Sequence, residues 1–210
     1  MYRSSILLIA LIFSCSTVAQ AGECPVTFGG DLVGDAYSGK VTDAVNGMYK
    51  QSGCEAAAHL ASSCAMGSSI DLSFLGAAAE HCAAEFKNKP ADQARYKKEL
   101  ARCAKDKSGG TLGMSVRAGC VMEAARVIAR QASCEEAAAK IAKINLDFLA
   151  AQLNFSGSQD SGDATFVKTG LKGLYVYRVD GMIYKGPYAI EVATDTACNL
   201  ASVKLDPLEN

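Results

Sequence analysis

The sequence predicts a mainly α fold: a disulfide-stapled helical bundle of about five to six helices with a small C-terminal antiparallel β piece, α+β overall. Three observations lead to this prediction. Apolar residues recur at helical spacing between residues 41 and 154, and they alternate as in β-strands after residue 165. The chain of 210 residues also contains nine cysteines, an unusually high number for a chain of ordinary globular composition.

Residues 1–21 have the layout of a secretory signal peptide. Arg3 supplies the positive start, residues 6–13 (ILLIALIF) form a short apolar segment, and residues 19–21 (AQA) match a small-x-small cleavage site. The apolar segment is shorter than the roughly 20 residues that cross a bilayer. We therefore expect export to the periplasm or the extracellular space, with no transmembrane span. In an alternative interpretation, residues 12–15 form a lipobox and Cys15 carries a lipid anchor.

Removal of residues 1–21 takes Cys15 away and leaves eight cysteines. An even number in an exported chain predicts four disulfides, for which 105 connectivities exist. The eight are Cys24, Cys54, Cys64, Cys82, Cys103, Cys120, Cys134 and Cys198. Cys54 and Cys64 are not expected to pair with each other, because ten residues of continuous helix span about 15 Å and a disulfide tolerates less than about 7 Å between Cα atoms.

The spacing of these cysteines also argues against a metal or a cofactor. No two of the eight lie closer in the sequence than Cys54 and Cys64. Zinc sites, iron–sulfur clusters, attached haem and redox dithiols use pairs only two to four residues apart. We therefore predict no metal and no cofactor.

The predicted order is a Gly-rich extended arm (residues 22–40), a Cys-rich helical domain (41–154), a linker (155–165) and a β appendage (166–210). Capping boxes, a proline at a first helical position and a Gly-Gly pair delimit the helices. We expect six of them, at about residues 41–48, 52–66, 71–88, 90–108, 112–131 and 133–154.

Most of the helical cysteines lie on apolar stripes that the spacing predicts to be buried. One stripe in the third helix consists of Leu72, Leu75, Ala79, Cys82 and Phe86. The stripe of the fifth consists of Val116, Cys120, Ala124 and Val127. The stripe of the sixth consists of Cys134, Ala137, Ile141, Ile144 and Phe148. The thiols are therefore expected to face neighbouring helices.

The β appendage is predicted from alternation and turn residues. Residues 173–179 and 182–185 form a hairpin around an Asp180-Gly181 turn, and strands follow at 188–193 and about 197–205. Cys198 would tether this piece to Cys24 or to the helical domain.

Two surfaces are candidates for binding. The fourth helix is basic and presents Arg95, Lys98 and Arg102, which could dock an acidic partner or an anionic envelope polymer. A solvated face with pairs such as Arg95–Glu99 explains the same residues. The β appendage carries Tyr175, Tyr177 and Tyr184. These could form an aromatic platform for a glycan or a protein, or they could pack across strands.

The sequence offers little for catalysis. His59 and His81 are the only histidines, and they fit no known zinc motif. Motifs such as GxSxG, HExxH and the P-loop are absent. Lys and Arg number 21 against 22 Asp and Glu, for a net charge of −1, which argues against nucleic acid as a partner.

One segment resembles a known family. It contains Cys103, then residues 109–112 (GGTL), Met114, Cys120 and a helix with Arg126. This segment resembles the end of the LprI-type lysozyme-inhibitor domain, a small secreted α-helical module of bacterial envelopes. The resemblance implies a Cys103–Cys120 disulfide around the Gly-Gly turn and an inhibitor of lysozyme. In that family the preceding helix usually carries Trp, which this chain lacks.

We therefore expect a secreted, non-catalytic binding protein whose partner is a protein or an envelope polymer, with lysozyme inhibition as the most concrete version. Two alternatives stay open at this point. One is an envelope hydrolase, which two convergent carboxylates in a cleft would favour. The other is a structural subunit that self-assembles through the edge of the β piece.

Overall fold

The computed structural model describes residues 23–153, 160–183 and 186–208. These residues form α1 (Gly34–Cys64), α2 (Asp71–Ala84), α3 (Pro90–Cys103), α4 (Gly110–Gln152), β1 (Asp160–Ser161), β2 (Thr165–Thr169), β3 (Tyr175–Ile183), β4 (Gly186–Thr194) and β5 (Leu200–Pro207). The α+β class is confirmed, but the described residues contain four helices rather than five to six. The predicted signal peptide, Cys15 and Tyr184 lie outside the described residues. None of the described helices is long and apolar enough to cross a membrane.

The first two predicted helices lie end to end in α1, with non-helical backbone torsions between them at Gly53. The helix begins at Gly34, so the extended arm is shorter than the predicted 22–40. The junction of the two predicted helices is a kink at Gly53, whose φ of +79° is readily adopted only by glycine. The N–H of Cys54 donates to Glu85 Oε1 at 3.1 Å beyond this kink. The Glu85 carboxylate thus caps the N–H group of Cys54, the role that the sequence predicted for a capping box beginning at Ser52.

The fifth and sixth predicted helices are one helix of 43 residues, α4. The predicted boundary at the Ser133 capping box is wrong. Ser133 Oγ donates to the carbonyl of Arg130 at 2.8 Å, so the hydroxyl bonds to the preceding turn and caps no N–H group ahead of it. Neither glycine nor proline occurs between Gly119 and Leu153 to end the helix.

Two apolar cores share α4. The first lies between α1, α2 and the N-terminal half of α4. It includes four of the five residues of the predicted stripe, and Leu72 is only partly buried. The second lies between the C-terminal half of α4 and the sheet. Because one continuous helix belongs to both cores, it fixes the position of the sheet on the helical bundle.

The buried face of α4 differs from the predicted one. The sequence predicts that Val116, Ile144 and Phe148 are buried, but they are 44%, 66% and 64% exposed. The face in contact with the sheet carries small residues and one leucine: Ala138, Ala142, Leu146 and Ala150. Alanine lets the sheet approach the helix closely, so this face is buried although the opposite face has larger apolar side chains.

The strands form one antiparallel sheet in the order β1–β3–β4–β5, with β2 also paired to β3. The predicted Asp180-Gly181 turn is wrong, because both residues lie within β3, where Gly181 pairs with Tyr188. Glycine suits the close packing there: a Cβ atom on Gly181 would lie 2.5 Å from Leu146 Cδ1, so the leucine side chain would have to shift. β3 instead continues to Ile183, which pairs with Gly186 of β4. Residues 160–161 of the predicted linker form β1.

All eight cysteines of the described residues form disulfides: Cys24–Cys64, Cys54–Cys82, Cys103–Cys120 and Cys134–Cys198. The prediction of four disulfides is confirmed, and Cys54 and Cys64 belong to different bonds as expected. Cys198 is bonded to Cys134 and so tethers the sheet to α4; it does not pair with Cys24. Four disulfides fit an oxidising environment outside the cytoplasm.

A buried carboxylate ties the α1–α2 loop to α4. Asp71 is fully buried and accepts hydrogen bonds from the N–H groups of Met66, Gly67 and Ser68 at 2.8–3.2 Å. The Ser115 hydroxyl of α4 donates to the same carboxylate at 2.6 Å. Asp71 therefore satisfies four donors that would otherwise lack an acceptor.

Candidate binding site

A cleft of about 390 Å³ lies where α3, α4 and β2 meet. Three of the six residues proposed as a binding surface from the sequence line it, and we call it the basic cleft. Spacings of three and four residues place these cations on one face of α3. Its charged residues are Arg95, Lys98, Glu99, Arg102 and Glu123.

Arg95 is held in place by three neighbours from three different elements. Its Nη1 atom donates to Asp92 Oδ1 at 2.6 Å, and its Nη2 atom donates to Gln131 Oε1. The guanidinium carbon lies 4.1 Å from the centre of the Phe166 ring, a cation–π distance. Two of its five N–H groups are used in these hydrogen bonds, so three remain for a ligand.

The other two cations of the cleft are more exposed. Arg102 Nε donates to Glu99 Oε2 at 2.6 Å, and Lys98 has no ion-pair partner within the described segments. The structure thus contains Arg95–Asp92 and Arg102–Glu99 pairs in place of the Arg95–Glu99 pair expected from the sequence. The Arg102–Glu99 pair is solvent-accessible, and exposed pairs stabilise a helix by less than about 1 kcal/mol, so a partner can displace this pair readily.

The base of the basic cleft is apolar. Ala124 and Ile128 of α4 are buried there, with Val127 half-buried beside them and Phe166 of β2 on the opposite wall. Small-ligand and peptide sites typically combine an apolar base with a few fixed polar groups. The cleft has this composition, with its positive charge on one wall.

Asp92 lines a second concavity, which we call the acidic cavity. It has a volume of about 490 Å³ and lies between the start of α3, the middle of α4 and residues 163–165. Its charged residues are Lys89, Asp92, Glu135, Glu136 and Asp163. Burial raises the pKa of Glu135, although the ammonium of Lys89 acts in the opposite direction.

The tyrosines of the sheet do not form an exposed platform. Tyr175 and Tyr177 share a face as predicted, but this face is turned to α4, and they are 5% and 0% exposed. The Tyr177 hydroxyl donates to the carbonyl of Gln131 at 2.8 Å, and burial strongly raises the pKa of Tyr177. Cross-strand and helix packing therefore explains both residues, and Tyr184 lies outside the described residues.

The histidines are placed apart from both concavities. His81 stacks on Tyr49 with 4.1 Å between ring centres, and its Nε2 atom lies 2.7 Å from Asn46 Oδ1. His59 is exposed, with its Nδ1 atom 3.4 Å from the Ser63 hydroxyl. Within residues 23–153, 160–183 and 186–208, no three His, Cys, Asp or Glu side chains are grouped so that they could hold a metal ion.

Sequence reasoning missed three residues of the site. Asp92 has a local signal, because it lies three residues before Arg95 on a helix. Gln131 and Phe166 have none: they reach α3 only through the packing of α4 and the register of β2 on β3. Their contacts with Arg95 depend on tertiary structure.

Comparisons with known proteins give no information about the function of this site. No protein-family model, curated protein or solved structure matches the chain. The resemblance to the LprI-type domain stays a prediction, and a function has to be inferred from the residues of the site.

Proposed function

We propose that this chain is an exported, non-catalytic binding protein and that the basic cleft contacts an anionic group of its partner. The observation that carries the proposal is the environment of Arg95, whose guanidinium is ordered by Asp92, Gln131 and Phe166 at an apolar-based cleft. An ordered cation loses little side-chain entropy on binding, so more of the interaction energy contributes to affinity. Lys98 and Arg102 extend the positive charge from this point along α3.

The partner that we propose first is a muramidase. The resemblance of residues 103–126 to the lysozyme-inhibitor domain supports this choice, although Ala101-Arg102 precedes Cys103 where that family usually carries an Arg-Asp pair. Glycoside hydrolases generally use two carboxylates on either side of the scissile bond. The exposed cations of α3 would pair with such carboxylates and block access of the polysaccharide. An envelope polymer with anionic groups is the second partner that fits the same chemistry.

The test is inhibition of a muramidase by the oxidised protein, measured as slowed clearing of a bacterial cell-wall suspension. Lys98→Glu/Arg102→Glu reverses two charges at the cleft. Lys97→Glu/Lys105→Glu reverses two exposed charges on the same helix or just after it, away from the cleft. We expect the first variant to inhibit about tenfold less well and the control to inhibit like the wild type. Equal inhibition by both variants would contradict the basic cleft as the contact.

The hydrolase alternative has weaker support from the side chains. Asp92 and Glu135 line the acidic cavity together, which is the arrangement that the alternative requires. However, Asp92 is bonded to Arg95 and Glu135 to Lys89, each at 2.6 Å. A carboxylate that exchanges protons with a substrate needs to be within hydrogen-bond reach of it, and these two are engaged with cations.

A further inference from the structure

One face of α4 carries apolar side chains that remain accessible in the described structure. Ile144 and Phe148 are 66% and 64% exposed, and Ala137 and Ile141 on the same face are half-buried. We call these four residues the α4 seam. At 100° per residue they lie opposite the face that packs on the sheet. Scattered apolar side chains on a surface are ordinary, whereas a row of them along one helix face marks an interaction surface.

The α4 seam has the spacing of a coiled coil. Its members follow one another at intervals of four, three and four residues, which are the a and d positions of a heptad repeat. The g positions beside this repeat are Lys140 and Asp147, whose side chains are exposed. Charges at g positions set the partner and the orientation of a helix pair. The seam therefore has both the apolar centre and the charged flank of a helix–helix interface.

The flanking charges fit a second copy of the chain in antiparallel orientation. Two antiparallel helices place their g positions beside each other. When Ile141 lies opposite Ile144 of the second copy, Lys140 lies beside Asp147 of that copy, and Asp147 lies beside its Lys140. A shift by one heptad in either direction brings Asp147 beside Asp147 or Lys140 beside Lys140, and like charges repel. Parallel helices bring g positions beside e positions, which hold no charged residue here.

The same register matches the sizes of the apolar side chains. Phe148 lies opposite Ala137 of the second copy, so a large side chain meets a small one, and Ile141 meets Ile144. Alternation of large and small residues lets facing layers interdigitate. The arrangement has four layers, and each contact occurs twice around a two-fold axis, as in most homodimers.

Both flanking charges are available for an interface. Lys140 Nζ lies 2.6 Å from Glu136 Oε1, and Lys143 Nζ lies 3.6 Å from Asp147 Oδ1. Such exposed pairs along one helix contribute only about 0.3–0.5 kcal/mol. An ammonium has three donors and a carboxylate has about four acceptor sites, so each group can add a partner from a second helix.

We propose that the chain forms a two-fold symmetric dimer in which the α4 seams of two copies pack antiparallel, with Lys140 of each copy paired to Asp147 of the other. Four layers and two ion pairs make a small interface, so we expect a Kd of about 1–100 µM. The dimer buries Ile144 and Phe148, as their spacing predicts. The basic cleft uses residues 123–131 of α4, so the dimer does not depend on the proposed function.

Sedimentation equilibrium of the oxidised protein at about 1–300 µM tests the proposal. We expect a monomer–dimer equilibrium that Ile144→Glu weakens at least about tenfold, because a carboxylate would be buried at the centre of the interface. Val116→Glu makes a similar change at an exposed apolar residue near the start of α4 and should dimerise like the wild type. A monomer at every concentration overturns the proposal, as does a dimer that Ile144→Glu leaves unchanged. The latter result would indicate another surface, such as the edge of β5 away from β4.

An exchange of charges tests the orientation and the register. Asp147→Lys places a lysine beside Lys140 of the other copy and should weaken the dimer about tenfold. Asp163→Lys makes the same change of net charge at an exposed residue outside α4 and should leave the affinity unchanged. Lys140→Asp/Asp147→Lys restores opposite charges and should recover the affinity of the wild type. A double variant that dimerises no better than Asp147→Lys overturns the antiparallel arrangement. All of these side chains are exposed, and near-UV circular dichroism confirms that each variant is folded.

Discussion

Substitution of Gly181 by alanine tests how the sheet packs on α4. The new Cβ atom would lie 2.5 Å from Leu146 Cδ1 and 3.1 Å from Ile190 Cδ1. Both side chains are fully buried in the second core, so neither can move into solvent to make room.

The magnitude follows from two opposing effects. Inserting a methyl group into a packed core costs about 1–3 kcal/mol. Alanine also restricts the unfolded chain more than glycine does, which stabilises the native state by about 0.4–1 kcal/mol. We therefore expect Gly181→Ala to lower the free energy of unfolding by about 1–2 kcal/mol. Gly119→Ala is the matched control: it lies within α4 with open space around its Cβ position, so we expect it to be stabilising by about 0.5–1 kcal/mol.

Urea denaturation of the oxidised protein, followed by far-UV circular dichroism, measures both values. A double-mutant cycle with Leu146→Ala identifies the contact, because removing Leu146 Cδ1 should relieve the closest contact at Gly181 and give a coupling energy of about 1 kcal/mol or more. A Gly181→Ala protein as stable as the wild type, or additive effects in the cycle, would refute the packing of Gly181 against Leu146. Additive effects of Gly181→Ala and Leu146→Ala would instead fit a turn at Asp180-Gly181, as the Asp-Gly sequence suggests.

Three further predictions concern stability. Cys134→Ala/Cys198→Ala opens a disulfide that joins residues 64 positions apart and should lower the free energy of unfolding in urea by about 4 kcal/mol; a loss under about 1 kcal/mol would contradict this. Asp71→Ala leaves three loop N–H groups and a hydroxyl without their acceptor and should cost about 3 kcal/mol by the same measurement, with a smaller loss for Asp71→Asn. The pKa of Glu135 is raised above its ordinary 4.5, so the folded state binds the proton of this carboxyl group more tightly than the unfolded state does. The stability of the fold that this proton contributes is lost as pH rises from 4.5 through the folded pKa. Stability relative to Glu135→Gln should therefore fall as pH rises above 4.5, and a parallel pH profile of the two proteins would exclude the effect.

The features that the sequence predicted correctly have short-range causes. Pro90 begins α3 because its fixed φ suits a first helical position, and alternation locates β4. The even cysteine count predicted four disulfides. The shared face of Arg95, Lys98 and Arg102 could also be predicted, because spacings of three and four residues place side chains on one face of a helix.

The features that it missed depend on long-range packing. Gly181 has the local signature of a turn, and only the closeness of Leu146 favours glycine in a strand. The buried face of α4 is chosen by the approach of the sheet, so Ile144 and Phe148 stay exposed although their spacing predicts burial. Phe166 reaches Arg95 through the pairing of β2 with β3, which no local pattern encodes.

The most direct test of the basic cleft is a map of backbone amide chemical shifts during titration with tripolyphosphate, a small polyanion. We expect shift changes concentrated in the segments that line the cleft: residues 95–102 of α3, 123–131 of α4 and 166–169 of β2. These changes should disappear in Lys98→Glu/Arg102→Glu and persist in Lys97→Glu/Lys105→Glu. Shift changes centred on the exposed lysines 140 and 143 of α4, or none at all, would contradict the assignment of this cleft as the anion-binding surface.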